Sequence, residues 1–104
     1  MSPTDYLNKH GTILKSYGIN GYGLTKGPAL SYLDWLEFNL VPVLGSDIYS
    51  FENEILIPLY ENWHCGSNFS ENKLDFVTRS IDITRRYITK HNDNHVLFVI
   101  VIDD

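Results

Sequence analysis

The chain has one cysteine, Cys65, which excludes an internal disulfide framework and any zinc site built from cysteines alone. No apolar run is longer than the seven residues Val96 to Ile102, far short of the roughly 20 needed to span a bilayer. The opening Met-Ser-Pro-Thr-Asp lacks the basic-then-apolar order of a secretory leader, so a cytoplasmic protein that makes no membrane contact is expected. Repeats, low-complexity tracts and linkers are absent. Between residues 27 and 72 there is no Lys or Arg at all. No diagnostic catalytic or cofactor motif occurs, so no cofactor is implied and function has to be read from where the charges fall.

What is present suits a single globular domain over residues 1–104. Of the 104 residues, 43% are apolar and 20% charged, too apolar for intrinsic disorder. A chain of this length buries about 65% of its unfolded surface, which is enough for one core. The net charge of −5 conceals an uneven distribution. Residues 1 to 26 carry a net +2, and residues 73 to 104 balance. The middle holds Asp34, Glu37, Asp47, Glu52, Glu54, Glu61 and Glu71, a net −7. Such a block repels nucleic-acid phosphates and attracts a basic protein surface. A set of carboxylates scattered over a solvated face would instead serve solubility.

Ser2 can cap a helix with Pro3 in its first turn and Asp5 at its positive end. Tyr6, Leu7, His10, Ile13, Leu14 and Tyr17 follow helical spacing, which predicts a helix from 3 to 17 stopped at Gly18. Residues 18 to 27 read as a glycine-rich flexible turn; their spacing matches neither a dinucleotide fingerprint nor a P-loop. Pro28 opens a second helix with Leu30, Leu33, Leu36 and Leu40 on its stripe, and Pro42 ends it near Val41. Residues 43 to 64 suit either a helix or a strand near 55, the strand being preferred. Pro58 kinks the first and restricts the second to a sheet edge or end. From Ser70, the recurrence of Leu74, Val77, Ile81, Thr84 and Ile88 predicts a helix to about 91, with Asp82 and Arg86 spaced as an i,i+4 ion pair. Asn92-Asp93-Asn94 then turns the chain.

Val96 to Ile102 is the strongest strand signal. Apolar on both faces, it belongs inside a sheet covered on two sides. Strand, helix and strand over 55 to 102 would form one right-handed βαβ unit. The expected fold is therefore a small α/β domain of three or four helices, with a small sheet containing strand 96–102.

Several groups invite chemistry. His64 beside Cys65 suggests a thiol nucleophile, but sequence neighbours on an extended chain point apart. His91, Asp93 and His95 sit together around a turn, though three weak ligands there read more simply as a polar loop. Glu52 with Glu54, and Asp103 with Asp104, have no evident pocket to separate their acidities. The sequon Asn68-Phe69-Ser70 reads as the approach to a helix. The aromatics are more telling. Tyr22, Trp35, Tyr49, Tyr60 and Trp63 lie within or beside the acidic block, and aromatic anchors rimmed by charge are what an interface uses.

In size, acidic block, aromatics and lack of catalytic signature, the chain resembles the small acidic immunity proteins that bacteria make against secreted toxins, including those of contact-dependent growth inhibition. A second resemblance, to the barstar-type ribonuclease inhibitor, is carried by Tyr22-Gly23 ahead of a helix bearing Leu33-Asp34-Trp35-Leu36 and by a closing helix then strand. Asp34 and Glu37 stand three apart rather than that family's four, so Asp34 and Trp35 alone carry over. The resemblance implies occlusion of a nuclease toxin's basic cleft by Asp34, Trp35, Glu37, Asp47, Glu52, Glu54, Glu61, Tyr22, Tyr60 and Trp63. The partner would be a basic toxin domain, and the protein a monomer or weak dimer without direct nucleic-acid or membrane binding. Alternative readings are a phage inhibitor of an RNA-guided nuclease, a small enzyme using His64 and Cys65, and a dimer joined through 96–102.

Overall fold

The first helix is half as long as its apolar spacing suggests, and Gly11 is the reason. The computed structural model describes residues 2–53, 55–59, 63–64 (backbone alone), 66, 70–91 and 95–103. Helix α1 spans Pro3–His10 and opens with a capping box, in which Ser2 Oγ accepts the Asp5 N–H and the Asp5 carboxylate accepts the Ser2 N–H. It stops at Gly11, where an added Cβ would stand 2.9 Å from the Leu7 carbonyl oxygen and 3.0 Å from Tyr22 Cβ. That close approach lets the chain turn back as a strand. The expected continuation to residue 17 is replaced by β1 (Thr12–Ile13) and one 3-10 turn over Lys15–Tyr17, which Gly18 ends at φ 79°.

The glycine-rich stretch is likewise no simple turn. It contains β2 (Tyr22–Gly23), antiparallel to β1, with Gly23 buried where an added Cβ would stand 3.1 Å from Leu97 Cβ. Leu24 exchanges both backbone hydrogen bonds with Phe98, at 2.9 and 2.8 Å. Helix α2 then runs Lys26–Phe38, so Pro28 falls in its first turn, where a missing N–H costs nothing. It buries Ala29, Tyr32, Leu33 and Leu36. Leu40 adopts φ 57° beyond its end and turns the chain toward Pro42.

The ambiguous stretch is a β-hairpin. Strand β3 (Val43–Glu52) pairs antiparallel with β4 (Ile55–Pro58), from Glu52 opposite Ile55 to Tyr49 opposite Pro58. Asn53, at φ 52°, takes the left-handed geometry that two-residue hairpin connections demand. Strand β5 (Trp63–His64) continues along the same edge of β3, opposite Ser46 and Gly45. Along the other edge lies β6 (Val96–Ile102), antiparallel from Val43–Ile102 to Ser50–Val96, with a bulge between Val43 and Gly45.

Since β3 opposes both neighbours, β4 and β6 run parallel, but β3 separates them. The expected βαβ unit is corrected to this extent: its two strands are not adjacent, because the short hairpin claims β4's inner edge for β3. Strand β6 pairs with β3 along its length and, on its other side, with Leu24 at Phe98.

Helix α3 (Lys73–Lys90) starts two residues beyond the expected Ser70–Glu71 opening, capped by Asn72 Oδ1, which accepts the Asp75 N–H at 2.8 Å. It buries Phe76, Val77, Ser80, Ile81, Thr84 and Ile88. Leu74, expected on that stripe, is exposed because Phe76 fills the inward position. One face of the sheet, through Val43, Ile48, Val96 and Phe98, packs with side chains of α2 and α3. On the other face, Leu97 and Val99 are covered by Leu14, Ile19, Tyr49, Phe51 and Leu56. Strand β6 is thus buried on both sides over its first four residues, as its composition requires. The result is a small α/β domain.

Candidate partner-binding surface

Asp34 and Glu37 sit one turn apart on the outer face of α2, and both meet Arg85 of α3. Arg85 Nη2 donates to Asp34 Oδ1 at 3.1 Å and to Glu37 Oε1 at 3.3 Å, while Nη1 donates to Asp82 Oδ1 at 3.0 Å. Burial alone would lower the guanidinium's pKa, but the hydrogen bonds to Asp34 and Glu37 outweigh it and raise the value. The ion pair expected between Asp82 and Arg86 forms instead with Arg85, one residue closer. Glu71 grips Arg79 with both oxygens, each 2.8 Å from a guanidinium nitrogen. Three of the seven middle carboxylates are therefore held by arginines of α3.

The α2–α3 layer is close to charge balance. Asp34, Glu37, Glu71, Asp75 and Asp82 stand against Lys26, Lys73, Arg79, Arg85, Arg86 and Lys90. Trp35 is half-buried there, stacked on Tyr32 at 6.3 Å between ring centres and flanked by Tyr6 at 6.5 Å. Tyr22 lies at the far edge of the sheet, its phenol donating to Asn8 Oδ1.

The hairpin differs. Asp47, on β3, and Glu52, at the β3 tip, make no ion pair with any described residue. Asp47 shares a strand face with Tyr49 and Phe51, turned away from the helices. Burial, and then the Asp47 charge, push the Tyr49 phenol above its ordinary pKa. Across the hairpin, Ile55, Ile57 and Leu59 are all exposed, Ile55 by 59%. They belong to the stretch that the sequence leaves as helix or strand. The available signal was their alternation beside Pro58, which marks an edge strand covered on one face.

That edge is blunted. Leu59 donates its N–H to Ile48 O at 3.0 Å, so Ile55, Ile57 and Leu59 bond inward, leaving Leu56 and Pro58 facing out. Pro58 has no N–H, and Leu56 supplies one outward donor. Strand addition is poorly supported here, and recognition by side chains is favoured.

The remaining sequence candidates gain little. Trp63 and His64 lie on β5 by their backbone, while Glu54, Tyr60, Glu61, Cys65, Asn68, Phe69, the Asn92–Asn94 turn and Asp104 lie outside the described residues. The His91 N–H caps α3 by donating to Ile88 O, and its ring meets Phe98 edge-on at 5.7 Å. Among the described residues no group of three His, Cys, Asp or Glu could hold a metal ion.

Comparison with known families decides among the readings. The model of the Immunity protein 40 family matches residues 13–102, from β1 through the last residue of β6. The chain belongs to the Immunity protein 40 family. No curated protein and no solved structure is significantly similar to it. The toxin–immunity reading therefore stands over the phage-inhibitor and thiol-enzyme alternatives. An Immunity protein 40 member serves an immunity function, with a toxin as partner, and the family points to an inhibitor rather than an enzyme. Among the described residues no helix is long and apolar enough to cross a membrane. The match covers the hairpin and both long helices but leaves out α1.

Proposed function

We propose that this Immunity protein 40 member neutralises a nuclease toxin, of the contact-dependent or a related type, by covering its basic active-site cleft with the acidic hairpin. Inhibition is occlusion, without chemistry on the immunity side, and takes place in the cytoplasm of the cell that makes both proteins. Carboxylates stand in for substrate phosphates, and neighbouring aromatic and aliphatic side chains supply the desolvated contacts. The observation that carries this is the unequal fate of the acidic block. Asp34, Glu37 and Glu71 are bound to arginines, whereas Asp47 and Glu52 pair with no described cation; Asp47 shares the face of Tyr49, Phe51 and Leu56, and Glu52 stands opposite exposed Ile55 at the hairpin tip.

Glu54 and Glu61 belong to the same segment of sequence and add to its charge. The Asp34–Glu37–Asp82 cluster keeps an excess of negative charge around Arg85, but it lies in the helical layer, across the sheet from Asp47. A flat interface takes one face or the other. Steering by unpaired charge gives fast association that slows as salt rises.

The test is association kinetics with the purified toxin domain encoded beside this protein. Asp47→Lys with Glu52→Lys is expected to slow association several-fold at low salt and to flatten its salt dependence. Asp34→Lys with Glu37→Lys is expected to change it less. Slowing confined to the Asp34 and Glu37 variant would move the interface to α2, and an unchanged rate in both would remove electrostatic steering altogether.

A further inference from the structure

The face of the hairpin turned away from the helices holds a groove that the core does not fill. Tyr17 and Ile19, from the 3-10 turn and the loop after it, form one wall. Tyr49, Ile55, Leu56 and Pro58 form the other. The space between them is about 500 Å³. Its floor is firm, since Leu56 packs with Phe51 against buried Leu14, Leu97 and Val99, and the Tyr17 and Phe51 rings meet edge to face at 5.9 Å. Its mouth is apolar, with Ile55 and Tyr17 both exposed. The polar functions of the lining side chains are the phenols of Tyr17 and Tyr49.

We infer that this groove receives one aromatic or branched apolar side chain of the toxin, flanked by a Lys or Arg that Asp47 accepts. This rests on the reading that the hairpin faces the toxin, and it names the contact that would hold the complex together once steering has brought the partners close. Charge complementarity chooses the occupant. Asp47 stands two residues before Tyr49 on the same strand face and lowers the local potential enough to affect the Tyr49 phenol. The elements that line the groove carry two acids, Asp47 and Glu52, and one base, Lys15. An apolar slot with a negative rim fits a basic protein presenting an apolar anchor. A second copy of this acidic chain would bring like charge to like.

Interfaces concentrate their binding energy in such central slots, while rim charges act mainly on encounter. The two contributions therefore separate in kinetics. Tyr17→Ala and Ile55→Ser, each checked for native folding by circular dichroism, are expected to speed dissociation from the co-encoded toxin domain at least tenfold. Association should stay within twofold. Ile55 is the safer of the two, because it is exposed and its loss leaves the Tyr17–Phe51 contact intact.

Dissociation at the wild-type rate in the Ile55→Ser complex, with association still slowed by Asp47→Lys, would overturn the groove and spare the electrostatic reading. Faster dissociation in the groove variants with no effect of Asp47→Lys would support the groove and overturn steering. A concentration-dependent dimer in light scattering that Ile55→Ser abolishes would assign the groove to a second copy and overturn the proposal.

Discussion

Ser80 of α3 accepts a hydrogen bond from the backbone N–H of Val43, 3.0 Å away, at the buried point where β3 begins. Both residues are fully buried, and Val43 lies beside the bulge that interrupts its pairing with β6. The bulge leaves this N–H in need of a partner, and a helix hydroxyl provides it. The same hydroxyl donates onward to Val77 O at 3.2 Å. A serine in the middle of an apolar helix stripe thus ties the helical layer to the sheet.

Replacing Ser80 by Ala leaves the Val43 N–H buried and unpaired. The expected loss is about 1–3 kcal/mol of folding stability. Urea denaturation checks this: the midpoint falls while the slope, which reports the surface exposed on unfolding, stays unchanged.

Gly11 separates the sequence reading from the structure in one experiment. Inside a continuous helix, Gly11→Ala would stabilise by about 1 kcal/mol. In the observed fold the new methyl meets the Leu7 carbonyl and Tyr22, and overpacking of this kind costs about 1–3 kcal/mol. Gly27→Ala is the matched control. Nothing lies within 4 Å of a Cβ there, so it is expected to stabilise α2 by about 0.4–1 kcal/mol. Thermal melts of the two variants should move in opposite directions.

The capping box makes α1 sensitive to acid. The backbone N–H of Ser2, and then its hydroxyl, hold the Asp5 carboxyl below the usual carboxylate range. A group with a lowered folded pKa stabilises the fold at pH above its unfolded value. That contribution is lost as pH falls through the folded one. The melting difference between the wild type and Asp5→Asn should therefore be largest near neutral pH and shrink below about pH 4, where the unfolded carboxyl protonates.

Much of the architecture was legible where one physical demand dominated. Seven apolar residues in a row, Val96 to Ile102, have to be covered on two faces, and they are. Val77, Ile81, Thr84 and Ile88 set the phase of α3 correctly. The hairpin was harder, since Ile48, Phe51 and Ile55 fit a helical period, whereas in the strands Ile48 and Phe51 face opposite sides of the sheet. Position 53, where Asn takes a positive φ, settles the matter through turn chemistry rather than periodicity. The acidic block was legible as a sum but not in its division. Asp34 and Arg85 are 51 residues apart, and nothing local announces that α3 will bring its arginines against α2. Trp35 looked like an anchor from its charged neighbours, yet much of its ring surface stacks inside the protein. The groove was not legible, because Tyr17 was read as part of a helix to residue 17 and Ile19 as part of a flexible turn.

The pairing of β6 bears on the order of assembly. It is synthesised after every other element of the sheet, and it pairs with β3 between residues 59 positions apart at Val43–Ile102 and 46 apart at Ser50–Val96. The β3–β4 hairpin closes locally and can form early, whereas contacts over such separations are slow to make. Until β6 arrives, β2 and β3 have nothing to join them and each apolar cluster lacks a wall. Closing the domain therefore depends on its last strand, which completes the walls of both apolar clusters.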